Sequence, residues 1–291
     1  MKFVFITYNN TTASMHMRGT MPAQALRRAG HDVYCVTHGE VENTPMDQNT
    51  ICVVVKVINQ DVISYIKRRR AKIAYDMIDN WNWNNLNSNF DYVIASNESH
   101  AQHIKKFYNG KIIIIPHLHT NVARRRKSIP SIKTIGYIGM VKQFDISNEM
   151  LNFCIKRNFT WFQAGGSKIA TVENETMKLD LGVIYISQAM EKLGLKYEYI
   201  RNFKPATKLT NLFSYGIPCL FNPTVSFMEV VASDPGLNFL VVRNKNEIFS
   251  KIDKLYNNFN KFKELSDRCY SIANNYHLDN ADKYYSRLFT I

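Results

Sequence analysis

Apolar runs of strand length alternate along this chain with segments whose apolar positions recur at helical spacing. Residues 2–8 (KFVFITY) read as a buried strand, and the polar stretch from Asn9 to Arg18 reads as a loop. Met21, Ala25 and Leu26 mark a helix that stops at Gly30, and residues 31–37 (HDVYCVT) form the next strand. Strand, loop, helix, glycine, strand is the arithmetic of a βαβ unit and predicts a parallel sheet. Further strands are expected over 51–58, 72–76, 92–95 and 112–115, with helices over 61–70 and around 100–108.

At 117–130 (HLHTNVARRRKSIP) the pattern breaks into a polar, basic segment that reads as a linker. A second series follows, with strands over 134–138, 159–164, 181–186, 219–221 and 239–242. Helices are expected over 147–157 and 205–215. A helical tail from Asn246 places Ile248, Ile252, Leu255, Tyr256 and Phe259 on one face. The fold class is therefore α/β, as two successive halves with parallel sheets.

Composition fits a folded chain: 45% of residues are hydrophobic and 21% charged, which excludes a disordered polyelectrolyte. No apolar run is long enough to span a bilayer, and the N-terminus lacks a small-residue cleavage site, so cytoplasmic residence is expected. The five cysteines are scattered without CxxC or Cys/His spacing and read as inert core thiols. A formal net charge of +13 favours nucleic acid, an anionic membrane surface or phosphorylated substrates. The basic runs at 67–70 and 124–127 read as solvated faces or membrane contacts. No helix-turn-helix, zinc-finger or aromatic RNA-binding pattern accompanies them, so sequence-specific nucleic acid is not expected.

The stretch 201–218 (RNFKPATKLTNLFSYGIP) carries the strongest chemical signal. Lys204 and Lys208 flank the start of the predicted helix, whose N-terminus already favours anions, and Thr207 sits in its first turn. The alternative is an ordinary surface helix with solvated lysines. Leu209, Leu212 and Phe213 share one face; Lys208, Asn211 and Tyr215 share another stripe. Gly216 suits the left-handed position after the helix and Pro218 prevents its continuation. In TIGYIGMVK, Gly139 lets backbone approach an anion and Lys142 stands just beyond. AGGSK at 164–168 reads as a turn.

In the first half, Ser14, His16 and Arg18 follow the carboxyl end of the first strand, where open α/β sheets bind ligands. Asp76 and Asp79 end another strand; a carboxylate there can orient a hydroxyl, act as base, or cap a helix. His38, His117 and His119 could line a seam between the halves. Asp-x-Asp, P-loop, GxSxG and HExxH patterns are absent.

With these residues in view, the chain resembles a compact GT-B glycosyltransferase of the glycosyl transferases group 1 kind. SMHMRGTMPAQALRRAGHDVYCVT is similar to the family's opening loop, helix and Gly-His-x-Val strand. YDMIDNW, DYVIASNESHAQHIKK and IIIIPHLHTN are similar to its later first-domain strands. IGYIGMVK resembles the first strand and glycine loop of the donor domain, and KPATKLTNLFSYGIPCL the donor-site helix.

The resemblance implies two Rossmann-like domains: an acceptor domain over 1–120 and a nucleotide-sugar domain over 121–270. A C-terminal helix over 271–291 would pack back on the first. It implies a metal-independent, retaining transfer from a nucleotide-diphosphate sugar to a glycan, glycolipid or protein hydroxyl, with no cofactor. Gly139 and Lys142 would face the donor phosphates, and Lys204 and Lys208 would neutralise the leaving diphosphate. Asn211 holds the position of the family's ribose-binding glutamate, with Glu229 as a substitute carboxylate. Ser14 and Arg18 fall to the acceptor side, and Asp79 and His16 are the catalytic candidates. A catalytically silent GT-B module and a basic polyanion-binding protein are the competing readings.

Overall fold

The computed structural model describes residues 1–9, 12–79, 82–139, 144, 146–165, 169–186, 191 and 196–289. The chain forms two compact units. One comprises Met1–Leu118, Phe203–Pro205 and Leu278–Ile291, and the other His119–Asn202 and Ala206–His277. The main divisions fall after Leu118 and His277, where the resemblance implies boundaries at 120 and 270.

The first unit carries β1 (Lys2–Thr7), α1 (Ala13–Met15), α2 (Met21–Arg28), β2 (Asp32–Thr37), β3 (Thr50–Val55) and α3 (Gln60–Arg68). It continues with β4 (Lys72–Asp76), β5 (Tyr92–Ala95), α4 (Glu98–Ile104) and β6 (Lys111–Ile114). The sheet is parallel throughout, in the order β2-β1-β3-β4-β5-β6. Every residue of β3 (TICVVV) is buried, as a central parallel strand covered on both faces requires. Phe3 and Phe5 pack edge-on against Tyr285 from the C-terminal segment.

Residues 13–18 of the loop expected after β1 are helical. Thr12 donates its N–H to Asn9 Oδ1 at 3.0 Å, α1 follows, and His16–Thr20 forms a π-helical turn running into α2. Asn and Thr at the start suppress helix propensity, but burial of Met15, Met17 and Arg18 outweighs that local preference.

The second unit contains β7 (Thr134–Ile138), α5 (Ser147–Lys156), β8 (Thr160–Ala164), α6 (Ile169–Met177) and β9 (Leu181–Ile184). Next come α7 (Tyr197–Phe203), α8 (Thr207–Ser214), β10 (Cys219–Phe221) and α9 (Val225–Val231). The series ends with α10 (Lys245–Asn257) and α11 (Phe259–Ala273). Its parallel sheet runs β10-β9-β7-β8.

Two expectations fail here. The strand predicted over 239–242 is mostly a 3₁₀ turn, Pro235–Leu240, started by Asp234 accepting from Gly236 N–H at 3.0 Å. Only Val241 forms a single bridge, to Phe221. The helical tail is two helices, broken at Asn258, whose Oδ1 accepts from Lys261 N–H and starts α11. Ile248, Ile252 and Leu255 are buried as predicted, but Tyr256 is 54% exposed.

The four cysteines Cys52, Cys154, Cys219 and Cys269 are buried free thiols; Cys35 is half-buried. Burial pushes the Cys52 and Cys154 thiols up to about 12, which keeps them protonated and unreactive.

Candidate functional site

The strand order of the second sheet reverses at β7, which has β8 on one side and β9 on the other. Open parallel sheets bind ligands just past the carboxyl ends of the strands at such a reversal. Gly139 follows β7 directly, at φ +150°, a conformation side chains rarely adopt. A Cβ there would come within 2.5 Å of Lys208 Nζ and 2.7 Å of Tyr137 Oη. Glycine therefore leaves the space that the lysine occupies. Lys208 Nζ donates to Tyr137 Oη and lies 4.5 Å from the centre of that ring. Burial raises the Tyr137 phenol, so the hydroxyl stays neutral beside the ammonium group. Phe144 stacks on Tyr137 at 4.6 Å and on Trp161 at 5.5 Å, fixing the ring.

Lys208 is the second residue of α8. That helix opens at Thr207 rather than Pro205; Ala206 occupies the cap without a side-chain acceptor, and no acidic residue lies in the first turn. Its first N–H groups thus retain their anion preference. Six of its eight residues are buried, Leu209, Leu212 and Phe213 among them, so α8 is a core helix and not the alternative of an ordinary surface helix. Gly216 takes φ +71° after the helix, as expected.

Other expected donor residues divide differently. The Gly139 N–H donates to Ala164 O at 2.9 Å, so that amide serves the sheet and not a ligand. Lys142 lies outside the described residues. Lys204 is half-buried and belongs to the first unit, whereas Lys208 belongs to the second. Thr207 is half-buried. Asn211 is buried, and its Oδ1 accepts from Thr120 N–H at 2.9 Å and Thr120 Oγ1 at 3.3 Å. The carbonyl end expected to read a ribose instead anchors the segment entering the second unit. Glu229 is exposed on α9, beside a cavity of about 500 Å³ lined also by Arg201, Asn202, Pro223 and Thr224. Neither Gly139, Lys208 nor Asn211 borders that cavity.

In the first unit the expected residues cluster at one sheet edge. Arg18 is 2% exposed and turned inward, against the expectation that it meets an acceptor. Its Nε donates to Asp76 Oδ2 at 2.7 Å, and Nη1 donates to the carbonyls of Ile115 and Pro116 at 3.1 and 2.9 Å. The guanidinium clamps the ends of β4 and the segment after β6. Burial pushes the Asp76 carboxyl up, opposed by the adjacent guanidinium.

Asp79 sits in the left-handed region at φ +53°, and its Oδ1 is buried with no hydrogen-bond partner among the described residues. Ser14 is half-buried. So is His16, whose imidazole burial pulls below its usual range. Burial lowers His117 to about 3 in the first unit and His119 to about 3 in the second, leaving both neutral.

Sequence reasoning missed Tyr137, which reads as an ordinary strand residue, and Asn97 and His100. The last two had a signal: Asn97 caps α4, its Oδ1 accepting from His100 N–H at 2.8 Å, within SNESH.

No family model matches the chain, and no curated protein matches it in sequence. Solved structures do match it in fold. HepE from Anabaena, solved with UDP-glucose, aligns at TM-score 0.64 and 10% identity, covering 100% of both chains. The chain has the GT-B fold. An α-glucosyltransferase solved with UDP and a 13-mer DNA containing an HMU base aligns at 0.65 and 10% identity, over 99% of this chain and 98% of that one. A TarM variant from S. aureus aligns at 0.61 and 12% identity over 87% of this chain, which spans 58% of TarM's length. No helix among the described residues is long and apolar enough to cross a membrane.

Proposed function

We propose that the chain is a glycosyltransferase that moves a sugar from a nucleotide-diphosphate sugar to a glycan, glycolipid or protein hydroxyl, without a metal ion and with retention at the anomeric carbon. One observation carries this reading. Lys208 is held beside Tyr137 and Gly139 where the second sheet reverses, in a fold whose solved neighbours include an α-glucosyltransferase and HepE, both with bound UDP.

Breaking the bond between sugar and diphosphate leaves growing negative charge on the leaving phosphate. A fixed ammonium group and the uncapped N–H groups of α8 stabilise that charge without reorganising. The aromatic stack behind Tyr137 keeps the lysine at its post. Thr207, at the start of the same helix, supplies a hydroxyl, and Glu229 on α9 of the same unit reads the ribose in place of Asn211, whose carbonyl is engaged by Thr120. Arg68, Arg69 and Arg70 are exposed and have no carboxylate partner among the described residues, which suits peripheral contact with the anionic surface of a membrane carrying the acceptor.

Single-turnover transfer from a panel of nucleotide sugars tests the reading. Lys208→Ala is expected to slow it by about 10²–10³-fold. An unchanged rate overturns the leaving-group role. Transfer should persist in excess chelator; its loss there would remove the metal-independent part.

A second reading, a GT-B module that binds nucleotide without turnover, is favoured by the engagement of Asn211 with Thr120. A rise in melting temperature with UDP, with no transfer from any donor, identifies it.

A further inference from the structure

A cavity of about 390 Å³ opens in the first unit, lined by residues 46–49 and 68–70. Residues 46–49 lead directly into β3, which starts at Thr50, and residues 68–70 lead from the end of α3 toward β4, which starts at Lys72. The two strands are neighbours, with Ile51 opposite Lys72. The cavity therefore sits at the amino ends of the parallel strands. Ligands of open α/β sheets bind past the opposite, carboxyl ends. The length of β4, about 13 Å at strand spacing, separates it from Asp76.

The cavity is built around arginines. Arg68, Arg69 and Arg70 are exposed, and none has a carboxylate partner among the described residues. Two of them are held in place by one phenol. Arg69 Nε donates to Tyr65 Oη at 3.2 Å, and the Arg69 and Arg68 guanidiniums stand 5.2 and 5.7 Å from the centre of that ring. Tyr65 is buried, and its Oη donates to Glu42 O at 2.8 Å. Arg70 takes φ +58° directly after the helix, a position that glycine fills without strain.

Asp47 is the one carboxylate in the lining, and both its oxygens are engaged. Oδ1 accepts from Asn49 N–H at 2.9 Å and from Thr50 Oγ1 at 3.0 Å, and Oδ2 lies 3.8 Å from Lys2 Nζ. Gln48 and Asn49 add side-chain amides to the same rim. The cations outnumber the carboxylate, which excludes a metal ion or a cationic ligand. Met46 is the one apolar residue of the lining, too little for a lipid tail or an aromatic ring. The dipole of α3 favours basic residues in its last turn. It does not account for their meeting a second loop around one cavity. Guanidinium forks suit carboxylate and phosphate alike, but a phosphate group brings more oxygens and charge on one compact centre, so several arginines can share it.

We infer that the amino end of the first sheet carries a binding site for a doubly charged phosphate group, formed by Arg68, Arg69 and Arg70 with the loop 46–49. The site does not rest on the glycosyl-transfer reading. A free phosphorylated compound and the phosphate headgroup of a lipid share this chemistry, and separate probes distinguish them.

The test uses the full chain carrying Lys208→Ala, so that the lysine of the second unit adds no phosphate binding of its own. Titration calorimetry at about 0.15 M ionic strength takes inorganic pyrophosphate and glycerol 3-phosphate as free probes. Co-sedimentation with phosphatidylcholine vesicles, with and without phosphatidic acid, supplies the lipid probe. At least one probe should bind, and the further pair Arg68→Gln and Arg69→Gln should weaken it at least about tenfold. The charge-matched pair Lys105→Gln and Lys106→Gln, exposed elsewhere in the first unit, should change it by less than about twofold. Arg70→Gly should weaken binding while raising the melting temperature, a combination that a purely structural arginine would not give. Arginine-dependent binding of a free probe marks a soluble ligand; binding of phosphatidic acid vesicles alone marks a headgroup. Absence of binding by every probe, binding that survives the arginine pair, or an equal loss in the lysine pair overturns the site.

Discussion

The two sheets end in edges of opposite character. Past β7 the second unit presents an ammonium group, a neutral phenol and the uncapped start of a buried helix. Past β4 and β5 the first unit cancels its strongest charges internally, Arg18 on Asp76. Both are parallel α/β sheets, so architecture does not set the difference. It comes from how the helix that stands at each edge begins. Ala206 leaves the N–H groups of α8 without a side-chain acceptor, while Asn97 caps α4 and turns its amide donor and the His100 ring into a fixed pair. One edge keeps a positive charge; the other is neutralised internally.

The largest effect should come from breaking the charge cancellation in the first unit. Arg18→Ala strands Asp76 as a buried carboxylate and is expected to cost about 3–5 kcal/mol in urea unfolding. Joint replacement by Arg18→Met and Asp76→Leu should recover most of that. If Arg18→Ala costs less than about 1 kcal/mol, the pair is not the clamp described here.

At the other edge, Gly139→Ala forces a side chain into the space of the Lys208 ammonium at a strained φ. Transfer should fall by at least about tenfold while urea unfolding changes little, within roughly 1–2 kcal/mol. A fall in stability without a fall in transfer would detach Gly139 from the cationic group.

Acid distinguishes the edges more gently. His100 and His117 in the first unit, and His119 in the second, are held neutral by burial, at about 4, about 3 and about 3. An unfolded histidine takes up its proton near about 6.5. The unfolded chain therefore binds more protons between those values, and stability is full above that range and declines as pH falls through it. Each ring contributes a slope of up to about 1.4 kcal/mol per pH unit. His100→Phe should flatten the profile of stability against pH; an unchanged slope would show that the ring is protonated as readily folded as unfolded.

Smallest of all should be Arg125→Ala. Its partner Glu173 is 3.1 Å away, but both side chains are largely exposed. The expected loss is about 0–1 kcal/mol and should vanish at high salt.

Much of the fold was legible because parallel strands buried on both faces are short apolar runs, and β1, β3, β5 and β7 all fit that template. The helical turns at 13–20 were not, because burial of Arg18 and its methionine neighbours is a tertiary fact invisible in a polar stretch. Pro235 and Gly236 turned an apolar run into a 3₁₀ segment for local reasons that a proline could have announced. Lys208 and Gly139 were identified separately as phosphate-facing residues, and Asp79 as a candidate base. Their partners were harder. Tyr137 obeys the strand pattern and gives no sign that its hydroxyl meets a lysine, and the diversion of Asn211 to Thr120 depends on a contact across ninety-one positions of sequence.

The basic run at 124–127 has a consequence for how the chain's charge is counted. Arg124 bonds Asn274, Arg125 pairs with Glu173, Arg126 with Asp267, and Lys127 with Asp180 at 2.8 Å. Asp180 in turn accepts from the N–H groups of Lys133 and Thr134 at the start of β7. Reagents that neutralise Lys127 should therefore loosen the entry to the second sheet, while at 67–70 the same chemistry breaks no ion pair among the described residues. The formal +13 is a property of the formula; the field a partner meets is smaller and displaced toward 67–70, the run that makes no ion pair among the described residues.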